Sequence, residues 1–156
     1  MKYLLILVLF SVFVGCNSSI VYEQNIALNA EGWAISDTVT FPFDVADDQQ
    51  FYDLYINFRN DNAYPYRNLY LFVKIIAPNN KYSIDTVQCL LADKEGKWMG
   101  KSAGHLWNNV ILYKENIRFP MPGPYKIQYV QGMRQDVLPS ITDAGFRLEQ
   151  HPQSNE

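Results

Sequence analysis

The chain has 156 residues and a formal net charge of −3, and its composition is 48% hydrophobic, 19% charged and 15% aromatic. This length suits one domain with its own core, and the composition excludes a chain that is disordered throughout and favours β-strands over a helical bundle. The negative charge excludes the broad basic surface with which proteins hold nucleic acid.

The N-terminal segment has the pattern of a bacterial lipoprotein signal peptide. Lys2 supplies a positive charge, and residues 3–14 form an apolar run in which Ser11 is the only polar residue. This run is shorter than the roughly 20 residues that a membrane-spanning helix needs. It ends in Gly15 and Cys16, which resemble a lipobox, where the cysteine is acylated after cleavage. We therefore predict a signal peptide over 1–15 and lipid attachment at Cys16, and an ordinary secretory cleavage site is the alternative.

Lipid attachment would make a membrane the first partner of the domain. One acyl chain holds a protein on a bilayer only marginally, whereas two hold it stably, and bacterial lipoproteins usually carry two or three, such as palmitate. Residues 16–20 would then be a lipidated tether. The tether lacks the acidic cluster that marks surface-exported lipoproteins. We therefore expect an outer-membrane lipoprotein that faces the periplasm.

Alternating apolar and polar residues predict the strands of the domain in its first half. A weak pattern covers 20–27, and 37–45 alternates clearly, with Pro42 predicting an edge strand because proline donates no ladder hydrogen bond. Residues 52–58 repeat the alternation. Residues 69–77 are apolar on both faces apart from Lys74, which predicts a central strand covered on both sides.

Turn residues predict how the later strands are joined. Residues 78–81, with the sequence PNNK, predict a hairpin between 69–77 and 82–91. After a strand at 110–119, the three prolines of 120–124 predict a turn into a second hairpin, whose next strand begins at Tyr125. The last strand covers 145–150.

The domain as a whole is predicted to be all-β. About eight short antiparallel strands with almost no helical periodicity predict a single β-sandwich over 21–150, either jelly-roll or immunoglobulin-like. Residues 151–156 are predicted to be a disordered tail. Cys89 is predicted to be a small buried residue, because its apolar surroundings contain no basic neighbour that would activate the thiol.

Two loops carry aromatic residues that a sandwich core does not obviously need. The first covers 60–68 and contains Tyr64, Pro65 and Tyr66, whereas the second covers 92–107 and is unusually long for a hairpin connection. Tyrosine and tryptophan are enriched at protein contacts. Burial of one tyrosine in the core and stacking of sugars on the indoles stay open as alternatives. The predicted contacts to a protein partner or ligand are Tyr64, Pro65, Tyr66, Trp98, Met99 and Trp107.

Residues that could support catalysis or hold a cofactor are sparse. His105 and His151 are too few for a His-rich zinc site, and no serine lies in a glycine-flanked elbow. The oxygens of Asn60, Asp61 and Asn62 suit calcium, but the glutamate and glycine of an EF-hand loop are missing. We therefore expect no enzyme activity, no cofactor and no metal site.

Four segments in order resemble one protein family. The segments are NLYLFV at 68–73, LADKEGKWMGK at 91–101, LYKENIRFP at 112–120 and MRQDVLP at 133–139. They resemble the gliding-motility lipoprotein GldH family of Bacteroidetes, and the likeness runs from Cys16 to about Glu149. The resemblance implies an outer-membrane lipoprotein with its lipid on Cys16, linked to gliding and type IX secretion, with envelope proteins as partners and no established enzyme activity. Many members come from organisms that do not glide, so membership does not require this protein to act in motility, whereas a role in envelope assembly or secretion would remain.

Overall fold

Strands with one apolar face dominate the computed structural model, which describes residues 19–152. Eleven strands lie in this part of the chain, and every pair of neighbouring strands is antiparallel. They are β1 (Ile20–Ala27), β2 (Trp33–Ala34), β3 (Val39–Val45), β4 (Tyr52–Asp61), β5 (Asn68–Ile76), β6 (Tyr82–Leu90), β7 (Lys101–Ala103), β8 (Leu106–Ile117), β9 (Gly123–Gln131), β10 (Val137–Leu138) and β11 (Ile141–Gln150).

Two sheets pack face to face, which confirms the predicted β-sandwich. One sheet has five strands in the order β1-β11-β4-β8-β7, the other has four in the order β3-β9-β5-β6, and β2 pairs with β10 in a separate ribbon. The eight longer strands correspond to the eight predicted segments. The three short strands β2, β7 and β10 were not predicted, because two or three residues carry no readable alternation.

Aromatic side chains from both sheets form the centre of the core. Phe43 of β3 lies 5.0 Å from Phe146 of β11 and 5.7 Å from both Tyr125 of β9 and Phe119, measured between ring centroids. All four rings are buried. Each buried phenylalanine contributes about 1.5–3 kcal/mol of hydrophobic stabilisation, so this cluster holds the two layers together.

The expectations for the individual strands were met for β3 and only in part for β5. β3 pairs only with β9 among the described strands, so Pro42 lies on an edge strand as predicted. In β5, Leu69, Leu71 and Val73 are buried, but Tyr70 is 39% exposed and Phe72 is 46% exposed. The prediction that this strand is covered on both sides is therefore wrong, since no layer lies over its outer face within the described residues.

The first predicted hairpin is confirmed. β5 and β6 pair along their whole length, and Asn80 adopts the left-handed conformation with a φ of 63° in the turn between them. The Ala77 N–H donates to the Lys81 carbonyl at 2.8 Å and closes this turn.

The second predicted hairpin is wrong, because β8 and β9 lie in different sheets. β8 pairs with β4 and β7, whereas β9 lies between β3 and β5. Pro120 and Pro122 lie between the two ladders, since β8 ends at Ile117 and β9 begins at Gly123, where it pairs with β3 instead of β8. Phe119 is buried between the layers, 4.8 Å from the ring of Tyr125, and the connection therefore crosses from one sheet to the other.

Residues 1–18 and 153–156 lie outside the described part of the chain. The predicted signal peptide, Cys16, most of the tether and most of the tail fall there. His151, which the sequence assigned to the tail, is docked: its N–H donates to the Phe51 carbonyl at 2.9 Å and its Nδ1 lies 2.8 Å from Asp53 Oδ1. Within residues 19–152, no helix has the length and apolar character needed to span a membrane.

Candidate functional site

The two aromatic loops lie at the same end of the sandwich. β4 runs from Tyr52 at one end to Asp61 at the other, a span of about 30 Å. The first loop leaves β4 after Asp61, and the second loop leads into β8, whose Trp107 pairs with Asn60. We call this end, marked by Asp61, Asn68 and Leu106, the aromatic end.

Both loops are shorter in the structure than in the prediction. Asn60 and Asp61 belong to β4, and Asn68 begins β5. The segment 92–107 is not one loop, because it contains the strand β7, and its last two residues begin β8. A bridge between Ala92 and Trp98 closes a tight turn over 93–97.

Tyr64 is the buried base of an aromatic cluster at this end. Its side chain is 4% exposed, and its hydroxyl donates a hydrogen bond to the Asn68 carbonyl at 2.9 Å. The Tyr66 ring packs on it edge to face at 5.8 Å, and the Trp98 ring lies at 6.4 Å. Burial, followed by the neighbouring Tyr66 and Cys89, raises the pKa of Tyr64, so the hydroxyl stays a donor at neutral pH. Tyr64 therefore closes the core, while Tyr66 and Trp98 are half-buried above it.

Hydrogen bonding joins Trp107 to the first loop. Its indole Nε1 donates to Asn62 Oδ1 at 2.6 Å, across 45 positions of sequence. Met99 is 61% exposed, and Pro65 is also exposed. The accessible part of the predicted contact set thus consists of Met99, Pro65 and the outer faces of Tyr66, Trp98 and Trp107.

The three oxygens considered for calcium each accept a hydrogen bond from the protein. Asn60 Oδ1 accepts from Asn109 Nδ2 at 2.9 Å, and Asp61 Oδ1 accepts from the Ala63 N–H at 2.7 Å. Asn62 Oδ1 accepts from Trp107. These side chains therefore fix the loop to β8 and to its own backbone.

An exposed apolar groove next to the aromatic end was not predicted. It has a volume of about 650 Å³ and lies between the end of β6 and the middle of β8. Leu90 and Val110 line it, Met99 lies at its rim, and all three are exposed. Alternation within a single strand does not show which other strand lies beside it, so no pattern in the sequence indicated that the end of β6 adjoins β8. Because β6 pairs only with β5 among the described strands, the groove also borders a free sheet edge.

A polar notch lies on the outer face of the five-stranded sheet around Gly145. A β-carbon added there would lie 2.0 Å from Asn25 Oδ1 and 3.0 Å from Asn57 Cβ. The side chains of Asn25 and Asn57 therefore cover the backbone of Gly145. Asn57 Nδ2 donates to Glu23 at 3.2 Å, whereas its buried Oδ1 has no hydrogen-bond partner among the described residues. Glycine is thus favoured here by space, because a larger residue would displace the Asn25 amide and crowd Asn57 Cβ.

The side chains of these surfaces are suited to contact with another molecule. Burial raises the pKa of Cys89 to about 12, and this thiol is fully buried, so it is not a nucleophile in the folded state. Within residues 19–152, no group of three or more His, Cys, Asp or Glu side chains is arranged to hold a metal. The aromatic end, by contrast, offers rigid rings beside an apolar groove, which is the composition of a protein contact surface.

Comparisons with known proteins agree with the resemblance noted in the sequence. Residues 20–148 match the family model described as GldH lipoprotein. The chain is 36% identical over 144 residues to the "Gliding motility lipoprotein GldH homolog" of Christiangramia forsetii, covering 88% of each chain. It is 32% identical over 143 residues to the "Gliding motility lipoprotein GldH" of Flavobacterium johnsoniae, covering 87% of this chain and 88% of the relative.

A solved viral structure shows a distant likeness to this fold. The structure of the infectious bursal disease virus Gx strain aligns with a TM-score of 0.36 at 15% identity, over 89% of this chain and 33% of that one. This likeness is too low to carry an argument.

Proposed function

This chain belongs to the GldH lipoprotein family, and we propose that it is a non-enzymatic, lipid-anchored scaffold that binds an envelope protein of the gliding and type IX secretion machinery. The proposal rests on one observation: two loops that are far apart in sequence contact each other and form one aromatic surface. Trp107 donates a hydrogen bond to Asn62, and the Trp98 ring packs near the Tyr64 ring, so the two loops form a single rigid surface. We call this surface the aromatic platform; it consists of Tyr64, Pro65, Tyr66, Trp98, Met99 and Trp107.

Rigidity of the platform supports a role in binding. Tyr64 is held from below by its hydrogen bond to Asn68, and the neighbouring turn is fixed by the Asp93 carboxylate, which accepts the Lys97 N–H at 2.8 Å. Side chains that are ordered before binding lose less conformational entropy when a partner arrives. The Met99 side chain is exposed next to this aromatic cluster, so it is the residue best placed to enter a pocket of the partner.

Attachment to the membrane is the second part of the proposal. We propose that Cys16 carries the acyl chains and that the domain faces the periplasm from the outer membrane. The family description as a lipoprotein and the apolar run before Cys16 support this attachment.

The test is crosslinking of the tagged, lipidated protein in its own cells, followed by identification of the captured proteins. Met99→Asp is expected to lose the partner, because it places a charge on the platform without disturbing the core. Leu112→Asp is the matched control, since it also charges an exposed apolar side chain but lies in the middle of β8, where it pairs with Tyr55. Cys16→Ser provides the mislocalised control.

Two results would overturn the scaffold proposal. If wild type and Met99→Asp captured the same proteins, the platform would not be part of the interface with the partner. Recovery of glycan or peptidoglycan fragments alone would favour the sugar-binding alternative, and a titration of tryptophan fluorescence with soluble peptidoglycan fragments would then be saturable. A flat titration removes that alternative.

A further inference from the structure

The tether enters the sandwich at the end opposite the aromatic platform. The Ser19 carbonyl accepts the Gln150 N–H at 2.7 Å, and Gln150 pairs with Tyr52 at the start of β4. Tyr52 in turn pairs with Ile117 at the end of β8. We call this end the tether end, and it lies about 30 Å from the aromatic end along β4.

The short distance from Cys16 to Ser19 brings the tether end close to the lipid. Only three peptide units separate these residues, and an extended chain spans at most about 3.5 Å per residue. If Cys16 carries the lipid, as the proposed function states, Ser19 lies within about 10 Å of the acylated residue. The surface around Ser19 therefore meets the headgroup layer.

The tether end carries side chains of a membrane interface on its β8 side. A groove of about 390 Å³ lies between the β5–β6 turn and the β8–β9 crossing, and it is lined by Lys81, Tyr82, Arg118 and Pro120. Tyr82 is 62% exposed, with the Lys74 ammonium 4.3 Å from the centre of its ring. Tyrosine suits the boundary between water and hydrocarbon because its ring is apolar and its hydroxyl is polar.

Two cations at this end have no carboxylate partner of their own among the described residues, although an acidic loop lies beside one of them. The Arg118 guanidinium contacts Gln49 at 3.4 Å and lies 5.2 Å from the Phe51 ring, and neither it nor Lys81 has an ion pair within residues 19–152. Asp47 and Asp48 lie on the neighbouring β3–β4 loop, where both carboxylates accept hydrogen bonds from Gln49. Gln49 thus links Arg118 to the two carboxylates, whereas Lys81 lies on the opposite side of the groove, on the β5–β6 turn.

We propose that the tether end rests on the lipid headgroups, with Lys81 and Arg118 contacting headgroup phosphates and with Tyr82 and Pro120 in the interface. The sandwich then stands upright on the membrane, and its aromatic platform points into the periplasm.

The test measures the distance of two labels from the bilayer. The mature lipidated protein is reconstituted in nanodiscs, and a nitroxide is attached to a cysteine introduced as Pro120→Cys or, at the aromatic end, as Lys94→Cys. Buried Cys89 does not react, and acylated Cys16 has no free thiol. A nickel chelate attached to the lipid is expected to relax the label at position 120 several-fold more than the label at position 94. Equal or reversed relaxation overturns the upright orientation.

The contact with phosphate is tested in the same samples. Adding phosphatidylglycerol to phosphatidylcholine nanodiscs is expected to increase relaxation at position 120, and Lys81→Glu with Arg118→Glu is expected to abolish that increase. Lys94→Glu with Lys97→Glu is the matched control. An increase that survives Lys81→Glu with Arg118→Glu overturns the phosphate contact. Failure of lipidation is distinguishable, because mass spectrometry would show an unmodified Cys16 and the protein would not remain in the nanodisc.

Discussion

The hydroxyl of Tyr113 donates a hydrogen bond to the carboxylate of Asp85 across the gap between the two sheets. Tyr113 lies on β8 of the five-stranded sheet and Asp85 lies on β6 of the four-stranded sheet. The Lys114 ammonium reaches the same carboxylate at 2.8 Å. No strand pairing joins β6 to β8 within the described residues. These polar contacts therefore connect the two sheets on a side of the sandwich where backbone hydrogen bonds do not.

Asp85→Asn is expected to lower the free energy of unfolding by about 1 kcal/mol at neutral pH, since it weakens both contacts. Hydrogen bonds from Lys114 and then Tyr113 lower the pKa of Asp85 in the folded state. Its stabilisation is therefore present above the unfolded pKa of about 3.9 and is lost as the pH falls through the lower folded value. In urea denaturation, the difference in the free energy of unfolding between wild type and variant should shrink as the pH is lowered. A difference that does not depend on pH would contradict this account.

Gly145→Ala is expected to destabilise the domain by about 1 kcal/mol, because the new methyl group crowds Asn57 Cβ and displaces the exposed Asn25 amide. Asn25→Ala should recover part of that loss, whereas the contact with Asn57 Cβ should keep the rest. A double-mutant cycle measured by thermal or urea unfolding gives the coupling. Gly96→Ala is the control, since Gly96 has open space around it and a φ of 83°, so its cost is backbone strain and Asn25→Ala should not relieve it.

The β-sandwich could be predicted because its long strands each bury one face. In β3 the strict alternation of Val39, Phe41, Phe43 and Val45 is required by the core and is therefore visible in sequence. The crossing after β8 could not be predicted in the same way. A proline-rich turn ends a strand, but whether the next strand joins the same sheet depends on where Phe119 packs.

The candidate site was predicted by residue type but not by arrangement. Tyr64 and Tyr66 flank one proline, and nothing in the sequence distinguishes the buried ring from the accessible one. The meeting of Trp107 with Asn62 follows from the register that pairs Asn60 with Trp107, which is a long-range property of β4 and β8. Lipidation at Cys16 stays a prediction.

Tyr64→Phe is expected to cost about 1 kcal/mol of stability, because it leaves the Asn68 carbonyl without its side-chain donor. Tyr66→Phe should change the free energy of unfolding by less than about 0.5 kcal/mol, since its ring is only half-buried. Chemical denaturation of the two variants side by side provides the measurement. Equal losses in both would show that the hydroxyl of Tyr64 does not hold the base of the platform.

Cys89 is expected to resist alkylation by iodoacetamide in the folded protein. Burial raises its pKa from 9.0 to about 12, which leaves about a thousandfold less thiolate at neutral pH, and the side chain is also sterically covered. The rate should rise with urea in step with unfolding. Met99→Cys supplies an exposed thiol as the control, and similar rates at the two positions in native buffer would refute the buried assignment.

The pairing of β1 with β11 has a consequence for how the protein is made. β1 follows directly after the tether, yet its ladder partner spans Ile141–Gln150 at the other end of the chain. If the chain is exported as we propose, β1 crosses the inner membrane before its ladder partner β11 does. The five-stranded sheet could then be completed only after translocation has finished, and a chain that ends before β11 would leave β1 without its ladder and one edge of β4 uncovered.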